Sequence, residues 1–109
     1  MRWIVVMVTT VCVFVTLTSV AQAGYRERNS AIIHKVFGRY GHQAVRVAEC
    51  ESGLTIGATN GRYWGLFQVS DHWRRTVPGW GWNAWAQARH AYRVFRLTGS
   101  NWSHWTCRP

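Results

Sequence analysis

The sequence predicts a small α+β domain that is mainly α, on three observations. Apolar residues recur at helical spacing in three stretches, over 31–37, 42–51 and 83–97. One run of aromatic and β-forming residues, Tyr63-Trp64-Gly65-Leu66-Phe67-Gln68-Val69, follows a tight-turn signal at Asn60-Gly61. Two cysteines far apart in the chain, Cys50 and Cys107, are left to staple the folded part.

The first 23 residues stand apart from that domain. Arg2 is their only charge, an apolar and Thr-rich run extends from Trp3 to Val20, and the segment ends Ala21-Gln22-Ala23. A basic start, an apolar middle and a small-x-small end describe a secretory signal peptide, cleaved after Ala23 to leave Gly24 first. An uncleaved membrane anchor is the competing reading, because the run is nearly long enough to span a bilayer. The Ala-x-Ala ending favours cleavage, and with it no stable membrane insertion. Cys12 follows Thr9-Thr10-Val11, a poor lipoprotein signal, so no lipid anchor is expected.

Residues 24–109 then form one domain of 86 residues, with no internal repeat or low-complexity tract. A domain of that size buries only about 60–65% of its unfolded surface and needs help. With Cys12 gone, Cys50 and Cys107 are the remaining pair, and an exported chain can oxidise them. Such a bridge would tie the second helix to the C-terminus and stabilise by roughly 4 kcal/mol on a chain-entropy estimate. Metal binding is not expected. The chain has no CxxC pair, and His34, His42, His72, His90 and His104 show no ligand spacing.

Charge is lopsided. Without Arg2, twelve basic residues face four acidic ones, a formal charge of +8. Such a surface seeks anions. Nucleic acid is one class of partner and an anionic cell wall is another; export favours the wall. Any carboxylate chemistry must use Glu27, Glu49, Glu51 or Asp71.

In chain order, Gly24 to Asn29 is a polar lead-in with a solvated Glu27, and Asn29 or Ser30 is expected to cap a first helix over 31–37. Ile32, Ile33, Val36 and Phe37 give that helix its apolar side, and Gly38 or Gly41 ends it. The second helix covers about 42–51. From Leu54 to Arg62 the Thr, Gly and Asn content reads as a loop. The run 63–69 reads as a short extended segment, one arm of a hairpin across that loop. Asp71 is expected to cap a short turn over 72–75, and Val77 to Gly81 is a loop. The last helix runs from about Asn83 to Leu97, with Ala84 or Trp85, Ala88, Ala91 or Tyr92, and Phe95 on one face and Arg89, Arg93 and Arg96 on the other. Thr98-Gly99 stops it. The aromatic tail 101–107 folds back if Cys107 meets Cys50.

Glu51 is the residue the rest is arranged around. Ala44, Val47, Ala48 and Glu51 fall at i, i+3, i+4 and i+7, one helical stripe that should face inward. Glu49, about 200° round the helix, should point elsewhere. A carboxyl on an apolar face is disfavoured as the anion, so its pKa should rise and it can keep a proton to donate near neutral pH. The plainer reading is a capping or salt-bridging glutamate at a helix end. Seven tryptophans in residues 24–109 serve chiefly as core. Trp64 and Trp105 are the better groove positions, and indole faces stack on sugars as well as on bases.

These residues form a pattern. Cys50-Glu51-Ser52-Gly53, then Asn60-Gly61-Arg62-Tyr63-Trp64-Gly65-Leu66-Phe67-Gln68-Val69, then 86–95 and Trp102-Ser103-His104-Trp105-Thr106-Cys107 resemble a small actinobacterial-type lysozyme-like or soluble lytic transglycosylase domain. The Glu-Cys-Glu-Ser-Gly run also resembles resuscitation-promoting factors, and the resemblance covers roughly Ser30 to the C-terminus. It implies a lysozyme-like fold with a central catalytic helix and a secreted enzyme of the cell wall. That enzyme cleaves the β-1,4 bond between N-acetylmuramic acid and N-acetylglucosamine in peptidoglycan. On this resemblance Glu51 matches the catalytic acid and Ser52 the serine that supports it. Gln68 matches the groove residue of a Gly-Leu-Met-Gln type motif. Tyr92 sits where a helix tyrosine approaches the acid, and the Cys50–Cys107 bridge matches the resuscitation-factor pattern. The implied substrate groove comprises Ser52, Tyr63, Trp64, Gln68, Tyr92 and Trp105. The expected partners are peptidoglycan strands and anionic wall polymers, with no nucleic acid, no cofactor and a monomeric chain.

One departure bears on mechanism. Animal-type lysozymes read Asp-Tyr-Gly before the Leu-Phe-Gln segment, where this chain has Tyr63-Trp64-Gly65. Tyr63 therefore stands in place of the second carboxylate. A two-carboxylate glycosidase holds its partners about 5–9.5 Å apart across the bond. Without that partner a single-acid route to a 1,6-anhydro product is expected. A muramidase stays open if Asp71 reaches across. So do a non-catalytic glycan-binding module and a cationic Arg/Trp-rich protein acting on membranes or nucleic acid.

Overall fold

The structure is a computed structural model that describes the backbone of residues 2–109 and the side chains of residues 20–109. The side chains of the expected leader up to Ser19, Cys12 included, lie outside the described residues. Helix α1 spans Arg2–Phe37 and a 3-10 turn follows at Gly38–Tyr40. Then come α2 (Gly41–Ser52), strands β1 (Tyr63–Trp64) and β2 (Val69–Ser70), α3 (Asp71–Thr76) and α4 (Ala84–Leu97). Among the described residues, no helix is long and apolar enough to cross a membrane.

The molecule is α+β and mainly helical, with α1 packed on α2 and α4. Phe37 is the hub of the core. Its ring stacks on Phe67 at 5.4 Å and on Trp102 at 5.7 Å, and meets Phe95 edge-on at 5.8 Å. Ile33, Ala44, Val47, Ala48, Ala88, Ala91 and Val94 fill the space between the helices with no exposure. Gly38, with φ +55°, turns the chain out of α1 after Phe37.

Three local expectations are corrected. Asn29 and Ser30 do not cap a first helix, because α1 is already running when it reaches them. Ala21, Gln22, Ala23 and the Arg/Glu residues that follow are good helix formers, and a single Gly24 costs only about 1 kcal/mol. The Asn29 side chain is buried and donates to the Leu54 carbonyl at 2.8 Å, which holds the loop after α2. Asp71 is the first residue of α3 and not its cap. Ser70 caps it, its Oγ accepting from Trp73 N. Tyr63–Trp64 does pair back across the expected loop, with Trp64 bridged to Thr59, but the run 63–69 does not continue as one extended arm. It is a hairpin folded on itself, with Tyr63 opposite Ser70 and Trp64 opposite Val69. Gly65 makes this possible. Its φ is +78°, and the buried Gln87 side chain occupies the place a Cβ would take.

Gln87 is the clamp that seats this hairpin on α4. Its Oε1 accepts from Leu66 N at 2.8 Å and its Nε2 donates to Ile56 O at 3.1 Å. Helix α4 starts as expected, with Asn83 Oδ1 accepting from Ala86 N at 2.9 Å. Gly99, at φ +93°, follows its end, and Arg89, Arg93 and Arg96 are exposed. The disulfide joins Cys50 to Cys107, with Cα atoms 6.0 Å apart. The tail is also held by side chains: Trp102 Nε1 donates to Gln43 Oε1 at 2.8 Å and Trp105 Nε1 to Phe67 O at 3.0 Å.

Candidate functional site

Helix α2 carries Glu51 into its last turn and stops two residues later. Gly53 adopts the left-handed conformation (φ 64°), and its N–H returns to Glu49 O at 2.9 Å. Ala44, Val47 and Ala48 are buried on the inward stripe, and Glu51 at its end is half-buried. Glu49 faces the other way, exposed and paired with Arg26 at 3.1 Å. The two carboxylates of the Glu-Cys-Glu run therefore occupy different worlds.

Glu51 lines a cavity of about 290 Å³ with Asn60, Tyr63, Gln68, His104 and Thr106. A smaller hollow of about 160 Å³ shares Tyr63, Gln68 and His104 with it and continues to Val69, Ser70, Trp73, Val94 and Trp105. The two are lobes of one cleft. Two larger hollows, of about 630 and 560 Å³, lie beside α1 around Ala23 and Arg26. Their only carboxylates are Glu27 and the Arg26-paired Glu49. Chemistry therefore points to the cleft and not to these two larger hollows.

Burial pushes the Glu51 carboxyl above its ordinary range. The backbone N–H groups of Cys107 and Thr106 lie against it and oppose that shift by favouring the anion. The Cys50–Cys107 bridge supplies this geometry, because the cysteine beside Glu51 in sequence delivers the tail whose amides face it. The result is an acid that keeps its proton more readily than usual.

The residues expected at the site divide into two groups. Tyr63 and Gln68 are in the cleft with Glu51. Gln68 has φ 47°, and its Nε2 donates to Ala58 O at 3.0 Å and Gly65 O at 2.9 Å, so its side chain is fixed across the hairpin turn. Trp105 is a buried wall of the smaller lobe. Ser52, Trp64 and Tyr92 line neither lobe. Ser52 Oγ donates to Leu66 O at 2.8 Å and accepts from Thr55 N at 3.2 Å, which locks the hairpin onto the end of α2. Tyr92 packs edge-on against Phe37 at 5.2 Å in the core. Trp64 points away and donates to Asp71 Oδ1 at 2.8 Å.

Asp71 is thus occupied. It accepts from Trp64 and from Arg74, the latter at 3.4 Å, and lines neither lobe. Glu51 is the only carboxylate lining the cleft among the described residues. No cluster of His, Cys, Asp and Glu is placed to hold a metal ion among them.

Three residues lining the Glu51 lobe escaped sequence reasoning: Asn60, His104 and Thr106. Asn60 Oδ1 accepts from the N–H groups of Arg62 and Tyr63, both at 3.0 Å, and shapes the rim. His104 stands edge-on to Trp73 at 5.8 Å between the lobes. The available signal was the cysteine pair. A Cys50–Cys107 bridge brings positions 104–106 next to Glu51 whatever their types.

Comparison with protein-family models, with curated proteins and with solved structures finds no match to this chain.

Proposed function

We propose that this chain is a secreted peptidoglycan-cleaving enzyme, a lytic transglycosylase that works on the MurNAc-β-1,4-GlcNAc bond with Glu51 as its single acid and base. One observation carries the reading. Glu51 is half-buried in a cleft with its pKa raised, faced by two backbone N–H groups, and unaccompanied by another carboxylate. The motif pair around Glu51-Ser52-Gly53 and Gly65-Leu66-Phe67-Gln68 supports the substrate class.

In this mechanism the Glu51 carboxylic acid protonates the glycosidic oxygen as the C1–O bond breaks. The substrate's own N-acetyl carbonyl stabilises the cationic C1 centre. The Thr106 and Cys107 amides hold the Glu51 carboxylate that results. That carboxylate takes the proton of the C6 hydroxyl, O6 bonds to C1, and a 1,6-anhydro sugar leaves. No water is consumed, and Glu51 ends protonated as it began. Tyr63, Gln68 and His104 orient the glycan strand. The enzyme acts as a monomer without metal or cofactor, outside the cell.

Mass spectrometry of the material released from purified peptidoglycan tests this. Anhydro-muropeptides are expected. Reducing ends would replace the transglycosylase with a muramidase, and binding without release would make the chain a glycan-binding module.

A further inference from the structure

A second surface is built on the other side of the hairpin. Successive strand residues point to opposite faces. Tyr63 lines the Glu51 cavity, whereas Trp64 does not. Trp64 joins Trp80 and Trp82 in an indole array. Trp82 packs edge-to-face on both, at 6.0 Å from Trp64 and 4.8 Å from Trp80. The Arg74 guanidinium fills the space between Trp64 and Trp80, 4.1 and 4.5 Å from their ring centres. Asp71 braces the array by accepting from Trp64 Nε1 and from Arg74.

The array is ordered by its own contacts, yet its outer member Trp82 is 55% exposed. Trp85, three residues further along the chain and with Arg89 over its ring at 5.6 Å, is 39% exposed. Indoles carry much of the energy of protein contacts, and exposed ones grouped together mark a surface that meets something. Its charge is equally one-sided. Its cations are Arg74 against Trp64 and Trp80, Arg89 over Trp85, and Arg93 against the loop that carries Trp80. Asp71 answers Arg74 alone. Arg75 and Arg89 are exposed, and the exposed Arg93 donates to Pro78 O at 2.8 Å beneath the loop that carries Trp80.

We infer that this face binds an anionic polysaccharide, a strand of sugar rings bearing carboxylate or phosphate groups. Pyranose C–H faces stack on exposed indoles, and guanidinium forks take the anions in pairs. Flat bases fit less well. The rings cross at 75° and 80°, and Arg74 already occupies the one gap between facing indoles. A membrane would find little to bury, since Trp82 and Trp85 are the only exposed large apolar side chains between residues 64 and 96. The surface does not depend on Glu51 being catalytic.

Binding of polygalacturonate to the full chain, followed by calorimetry, tests the inference, with neutral dextran, oligothymidylate and anionic phospholipid vesicles as competitors. The wild type and Glu51→Gln should bind polygalacturonate equally, and dextran should not compete. Trp82→Ala and Trp85→Ala should each weaken binding about tenfold with thermal midpoints near the wild type. Arg89→Gln should weaken it and flatten its salt dependence. Unchanged affinity in both tryptophan variants overturns the inference, as does stronger binding to oligothymidylate or to vesicles than to polygalacturonate.

Discussion

Glu51 is where a single side chain decides the outcome. Replacing it with Gln keeps the shape and removes the transferable proton. Wall cleavage should fall roughly a hundredfold to ten-thousandfold, with an unchanged circular dichroism spectrum. Activity at the wild-type rate would end the proposal. The pH profile carries a matching sign. A donor must be protonated, so activity is present below the folded-state pKa of Glu51 and lost as pH rises through it. Because burial raises that pKa, the alkaline limb should lie above the ordinary carboxylate value of about 4.3. Mutating Thr106 to Pro would delete one opposing amide and move the limb further up. This residue was legible because its placement is local: four positions on one helix turn the carboxyl inward. His104 and Asn60 were not, since no periodicity links them to Glu51. Only the folded tail and the loop rim bring them there.

At the scale of elements, the hairpin and the α3–α4 junction each carry an expectation. Gly65→Ala forces a side chain into a left-handed backbone and against Gln87. It should cost about 1–3 kcal/mol, read as a lower urea midpoint with an unchanged slope. His90 on α4 is buried, its Nε2 within 2.9 Å of Trp73 O and 3.1 Å of Val77 O, while Nδ1 has no partner. Burial pushes its pKa down, the two carbonyls oppose that, and the charges of Arg93 and Arg74 add to it. The unfolded chain then binds the proton more readily. Stability from this group is present above the unfolded value of about 6.5 and drains away as pH falls through it. His90→Asn should flatten the fall in urea midpoint between pH 7.5 and 5; an equally steep fall would place its cause elsewhere. Helices α2 and α4 were readable because their 3.6-residue stripes match the buried faces. The hairpin was read as one run because its turn is made by Gly65 and Gln68 inside an aromatic stretch. The start of α1 was misplaced because Asn29 resembles a cap while its amide serves a loop 25 residues away.

For the whole molecule, α1, α2, α4 and the tail share one aromatic core, and the disulfide closes a circuit 57 residues long. Opening it by reduction or by Cys107→Ser should lower stability by about 4 kcal/mol. Trp102 and Trp105 remain seated in the core, and Arg108 still reaches Trp102 O and Trp105 O. The fold should therefore survive at room temperature while wall cleavage drops, because the amides at 106 and 107 lose their register against Glu51. Equal activity with and without reductant at a temperature where both forms are folded would contradict that. Residues 24–109 alone should keep the thermal midpoint of the full chain, because Asn29 is the first buried residue of α1 among those whose side chains are described. How the chain closes on itself was visible in the sequence only through two cysteines. The shape of the cleft they enclose was not.

The bond that completes the acid's surroundings is one that reducing compartments do not permit. While thiols stay apart, positions 106 and 107 lose their register and the proton donor lacks the amides that receive its charge. On the proposed activity, a wall-cleaving enzyme made inside its own cell would thus be delivered disarmed, and crossing into an oxidising space would arm it.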